Sequence, residues 1–158
     1  MIETFDVSRY PEAYLRHGIS EALVQVACVA YLKARWRAEV TVIDVGDAHL
    51  RGRAARLIAA AGGNPRQMFG QPGQMAPGIV DLAVTFPGGR AGWFEVKRPA
   101  HLISSPKTGR LIQKAAAGAP TPEQLAFLKR QERAGAVVGV LWWAKDLDAI
   151  LGAVEAAA

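Results

Sequence analysis

Apolar residues recur at helical spacing from Leu23 through Val24, Ala27, Ala30, Tyr31 and Ala34, which predicts a helix from about Glu21 to Trp36. Ser20 is placed to cap it and Glu21 to favour its positive end. The period then changes. Val40–Val45 (VTVIDV) reads as a strand, and Leu50–Ala61 is an alanine- and arginine-rich helical stretch that stops at Gly62-Gly63. From Gly62 to Gly78 the chain carries five glycines and three prolines and reads as a loop. Two short apolar strands follow, Asp81–Phe86 (DLAVTF) and Trp93–Lys97 (WFEVK), joined by Pro87-Gly88-Gly89-Arg90, a sequence suited to closing a hairpin. Residues 100 to 120 are rich in Ser, Pro, Gly and Ala and read as irregular and mobile. Thr121-Pro122-Glu123 opens a helix with a cap, a proline in its first position and an early acid, and Ala134-Gly135 closes it. Val137–Trp143 is an apolar strand suited to the sheet centre, and Asp146–Glu155 is a last helix. The order α, β, helical insert, β, β, α, β, α predicts one α/β domain over residues 1–158. Its mixed central sheet is flanked by helices, because the hairpin is antiparallel while the strand-helix-strand unit after it requires a right-handed parallel crossover.

Composition adds a partner and a compartment. A chain of 158 residues with 51% hydrophobic and 21% charged residues fills one compact core. Its formal charge of +5 and pI near 9.7 favour a polyanion, nucleic acid before an anionic membrane surface. Cys28 is the single cysteine, so neither an intrachain disulfide nor a cysteine zinc cluster can form. The start Met1-Ile2-Glu3-Thr4-Phe5-Asp6 lacks the basic and apolar run of a signal peptide, and no stretch reaches the length of a membrane span, so a cytoplasmic protein is expected.

The residues with chemistry to offer concentrate between Gly78 and Pro99. Alternation along Trp93–Lys97 puts Glu95 and Lys97 on one face and Phe94 and Val96 on the other, while Asp81 begins the neighbouring strand. Two carboxylates at one sheet edge suit Mg²⁺ or Mn²⁺, with the Val96 carbonyl as a third oxygen, and the lysine suits a water or a developing phosphorane charge. The plain alternative is a surface hairpin with a cross-strand Lys–Glu pair. Lys107, Arg110 and Lys114 lie just beyond and match a need for phosphate contacts, against a solvated loop as the alternative. Asp44 and Asp47 flank Gly46 and read as a turn. His17, His49 and His101 have no ligand spacing, His101 lying close behind the Glu-x-Lys strand. Trp142 and Trp143, if on a strand, face opposite ways.

Taken in order, GIVDLAV, WFEVKRP, GRL and TPEQLAFLKRQERAGAVVGVLW resemble the PD-(D/E)xK nuclease superfamily and, within it, the VRR-NUC (virus-type replication-repair nuclease) domain, over roughly residues 20 to 145. Val80 stands where a proline commonly precedes the aspartate. The resemblance implies a restriction-endonuclease-like core and a metal-dependent endonuclease acting on DNA, structure-specific for branched forms, with pairing into homodimers. Asp81, Glu95 and Lys97 would be catalytic. Glu21, one turn before Gln25, would add an acid to the metal site from the first helix, directly or through water, unless it serves only the helix dipole. Gln124 would touch Lys97 or a phosphate, unless it serves only as a capping residue. Arg98, Lys107, Arg110, Lys114 and Arg66 would meet the nucleic acid. Two alternatives stay open: a catalytically silent DNA-binding module, and an RNA-directed nuclease.

Overall fold

The computed structural model describes residues 4–43, 59–62 and 79–156. Its centre is a strand pair that runs parallel, β3 (Ala91–Val96) beside β6 (Val137–Leu141), with Glu95 opposite Val140. β2 (Leu82–Thr85) joins the other side of β3 as an antiparallel hairpin, and β1 (Glu39–Val42) pairs antiparallel with β2, which gives the sheet order β1-β2-β3-β6. The hairpin turn is held by the Phe86 N–H on the Arg90 carbonyl, with Gly88 and Gly89 in left-handed conformations. The expected α/β class and mixed sheet are observed, each strand ending within a few residues of its expected bounds.

Alternation divides the core in two. Leu82, Val84, Phe94, Val96 and Leu141 face a cluster with Val24, Cys28 and Leu32 of α2 (Glu21–Trp36) and Leu147, Ile150 and Leu151 of α4 (Asp146–Ala156). On the opposite face Val138 and Val140 pack with Leu128 of α3 (Pro122–Arg133), Leu15 of the short α1 (Glu12–Arg16), Tyr10 and Trp142. Burying side chains of this size stabilises by roughly 1.5–3 kcal/mol each. Gly139 makes the close approach of α4 possible, since a Cβ there would lie 2.4 Å from Ile150 Cδ1. The α2 bounds match the expected helix, with the Ser20 side chain accepting from the Leu23 N–H.

Three expectations are corrected or moved. Residues 100 to 120 are not irregular throughout: β4 (His101–Ser104) and β5 (Leu111–Ala115) form an antiparallel hairpin, a separate two-stranded sheet whose β4 packs on α1, while 116–120 carries no regular structure. The Ser-Pro-Lys-Thr-Gly-Arg run that suggested a loop is its turn, with the Ser105 N–H on the Arg110 carbonyl. Trp142 and Trp143 do not lie on the strand. They follow β6 in a bend and belong to the same aromatic group, Trp142 buried and Trp143 against Tyr14. Most of the expected helix Leu50–Ala61, the following loop, Asp44, Asp47, His49 and Arg66 lie outside the described residues.

The bend after β6 is fixed by Asp146, whose Oδ2 accepts from the Trp142 and Trp143 N–H groups at 2.9 Å and from the Tyr10 hydroxyl at 3.2 Å. Asp146→Ala strands two main-chain donors and should lower unfolding free energy by roughly 3 kcal/mol, while Asp146→Asn, which keeps an acceptor, should lose about half as much. Urea denaturation followed by tryptophan fluorescence measures both.

Candidate active site

Parallel strands β3 and β6 end together, and their carboxyl ends form an edge beside which β2 begins. In α/β sheets such edges present functional groups because no further strand covers them. Asp81, one residue before β2, is tied to this edge: its Oδ2 accepts from the Val96 N–H at 2.7 Å. On an extended strand the N–H and C=O of one residue point to the same side, so the Val96 carbonyl also looks toward Asp81. The next N–H, that of Lys97, turns to the Leu141 carbonyl on β6. Backbone geometry thus fixes the Asp81 carboxylate on the Val96 main chain.

Glu95 is on the opposite face from Phe94 and Val96, as expected, but it is far from a surface residue, with 0% of its side chain exposed. Its Oε1 accepts from Lys97 Nζ, and the lysine is itself only 13% exposed. Its Oε2 is buried without a hydrogen-bond partner. Burial first, and the Asp81 charge second, push its carboxyl up to about 7 against the opposing pull of Lys97. Asp81 is likewise raised, by burial. Two ionised carboxylates offer no hydrogen to one another. The Glu95 carboxyl can hydrogen-bond to Asp81 only when it carries a proton, so either a proton or a cation must join them.

The donor set fits a hard divalent cation. Mg²⁺ takes one or two carboxylates with waters and substrate oxygens completing its octahedron, and Asp81, Glu95 and the Val96 carbonyl supply oxygens alone. The unpartnered Glu95 oxygen is the observation that a cation would explain. Among the described residues no group of three or more His, Cys, Asp or Glu side chains converges as a metal cage; Glu21 is the candidate acid that comes from outside the sheet. It stands exposed in the first turn of α2, and its charge is nonetheless felt at Glu95, raising that carboxyl further.

Lys97 is held by groups that sequence reading does not identify. Gly118 packs on its stem, where an added Cβ would lie 3.3 Å from Lys97 Cδ, and the Gly118 N–H donates to the Arg98 carbonyl at 2.9 Å. The Gly118 carbonyl in turn accepts from the buried Trp142 indole at 2.8 Å. Within an Ala-Ala-Ala-Gly-Ala-Pro run nothing marks Gly118, because its role comes from a contact across the fold. Gln124 is in the capping box of α3: its Oε1 accepts from the Thr121 N–H at 2.8 Å and the Thr121 hydroxyl accepts from the Gln124 N–H. Gln124 thus makes the capping contacts of its alternative role. His101 lies over Gly18 rather than beside the carboxylates. Arg98 is exposed next to Lys97, Lys107 and Arg110 lie around the hairpin turn, and Lys114 is on β5, all exposed. No family model, no curated protein and no solved structure matches the chain.

The buried carboxyl carries a pH prediction. A carboxyl raised above its unfolded value contributes no penalty when protonated in both states and destabilises the fold as pH rises from about 4.5 through about 7. Without metal, Glu95→Gln should match the parent near pH 4 and exceed it at pH 8 by up to about 3 kcal/mol, because each tenfold change in proton affinity is worth about 1.4 kcal/mol. Thermal unfolding in EDTA across that range checks it, and a parent whose relative stability rises with pH contradicts it.

Proposed function

We propose that the chain is a metal-dependent endonuclease that hydrolyses DNA phosphodiester bonds, of the VRR-NUC kind within the PD-(D/E)xK nucleases, with a restriction-endonuclease-like core. The reading is supported above all by Glu95: a carboxylate fully buried at a sheet edge, paired with a nearly buried lysine, with one oxygen unpartnered and Asp81 beside it. A surface Lys–Glu pair contributes only about 0–1 kcal/mol and leaves no acid desolvated. Burial that desolvates two acids and leaves one oxygen without a partner is costly unless function retains it.

Asp81, Glu95 and the Val96 carbonyl would hold the Mg²⁺ or Mn²⁺, with Glu21 acting on the same site through water. The cation, when bound, polarises a phosphate and acidifies a water. Lys97, three donors on a stem held between Gly118 and β3, orients the attacking water toward phosphorus and offers positive charge to the phosphate oxygens. Its partner Glu95 fixes the direction of the ammonium. Exposed Arg98 stands where the flanking phosphate of a bound strand would pass, and Lys107, Arg110 and Lys114 extend that positive surface. Branched DNA as the preferred form and a homodimer with two sites belong to the same reading. Among the described residues no helix is long and apolar enough to cross a membrane.

Asp81→Asn, Glu95→Gln and Lys97→Ala should each reduce Mn²⁺-dependent cleavage of a labelled four-way or flap DNA by at least about a hundredfold, the range for removing a group acting in the transition state. Binding in EDTA should persist. Parent-like cleavage by any one of the three purified variants removes that residue from the mechanism, and absence of cleavage by the parent on single-stranded, duplex and branched DNA, with RNA cut instead, reassigns the substrate.

A further inference from the structure

The hairpin of β4 and β5 exposes two apolar side chains at the start of β5, next to its polar turn Ser105–Arg110. Leu111 is 39% exposed and Ile112 45% exposed. Adjacent strand residues point to opposite faces, so the two project from both sides of the ribbon. Ile112 is opposite Ile103 and Leu111 opposite Ser104. Near the base the hairpin is anchored, with Leu102 against the core cluster that includes Trp142, α1 on β4, and Gly118 beside Lys97. Beyond Ser104 its second strand is exposed up to Lys114. Apart from the Ile103–Ile112 cross-strand pair, a short two-stranded ribbon leaves much of this apolar surface in water.

The charge around Leu111 and Ile112 identifies the occupant. From Ala100 to Pro120 there is no acidic residue, and Lys107, Arg110 and Lys114 stand exposed within a few residues of Leu111 and Ile112, none in an ion pair among the described residues. Cations that bracket projecting aliphatic groups match a nucleic acid, whose phosphates lie outside and whose stacked bases lie inside. Aliphatic side chains inserted at a base step unstack it and kink the strand, while neighbouring Lys and Arg hold the phosphates.

We propose that the β4–β5 hairpin is a base-contacting wedge: Leu111 and Ile112 enter nucleic acid at an unstacked step while Lys107, Arg110 and Lys114 grip the adjoining phosphates. The wedge rests on the reading of the neighbouring carboxylate edge as a nuclease site, and it assigns to the hairpin selection of steps that open easily, such as mismatches or strand discontinuities. Its base, joined to Lys97 through Arg98 and Gly118, links that selection to the site.

The experiment uses the full chain in EDTA, where no strand is cut, and a duplex with the fluorescent base 2-aminopurine beside a single unpaired step. The parent should raise the emission severalfold on binding. Leu111→Ser/Ile112→Thr, both at exposed positions, should lose more than half of that rise while keeping the parent salt dependence. Lys107→Gln/Arg110→Gln/Lys114→Gln should flatten the log-log salt slope by up to about three. A parent that binds without raising emission, or a double variant that raises it equally, overturns the wedge. So does a concentration-dependent dimer in sedimentation that the double variant dissociates, because the two side chains are then covered by a second copy. A parent that raises emission but cuts no substrate with Mg²⁺ or Mn²⁺ leaves the wedge standing and removes the nuclease reading.

Discussion

Burial of the Glu95 carboxylate on the central strand constrains everything around it. β3 pairs along both edges, antiparallel with β2 and parallel with β6, helices pack on both faces of the sheet, and the Glu95 side chain is fully buried there. A charge there must be matched locally. Lys97, two residues along the same face, matches one oxygen. The second is left for a proton or a cation, and Asp81 is fixed beside it through the Val96 N–H. Each feature of the edge depends on that one placement. The register of the β2–β3 hairpin delivers Asp81, the parallel β6 draws the Lys97 N–H away to Leu141, and the bend fixed by Asp146 carries Trp142 under the strap that holds the lysine.

The same geometry separates what is rigid from what reaches outward. Glu95, Lys97 and Gly118 are held by strands and by buried hydrogen bonds, which suits groups that must keep one geometry while charge develops. The exposed β4–β5 ribbon grows from the base of that assembly and carries its cations away from it. The exposed cations and the buried carboxylates are thus adjacent but not superimposed.

Much of this is legible in the chain because it is local. Period-two alternation in Trp93–Lys97 puts Glu95 and Lys97 on one face, the Pro-Gly-Gly turn specifies the hairpin, and Thr121-Pro122 with Gln124 three residues after the cap specifies the helix start. The residues that sequence reading misses are those whose role comes from distant partners. Gly118 packs on the Lys97 stem from a segment far along the chain, Trp142 bonds the Gly118 carbonyl from 24 residues away, and Asp146 reads as an ordinary first-turn acid although it accepts from Tyr10, 136 residues away. The stretch 100–120 hides its strands for another reason: Ser, Pro and Gly are more frequent in it than β-branched residues, and the apolar pairs Leu102–Ile103 and Leu111–Ile112 are too short to show a period.

Isothermal titration of Mn²⁺ into the parent at pH 6, in two buffers of different ionisation heat, is the most direct test that Glu95 is kept buried for a cation. One ion should bind per chain with release of about one proton, since a carboxyl raised to about 7 is largely protonated at that pH. Release should fall toward zero at pH 8, and Asp81→Asn should abolish binding. Heat independent of the buffer at pH 6, or an affinity unchanged in Asp81→Asn, would contradict the assignment of this edge as a metal site.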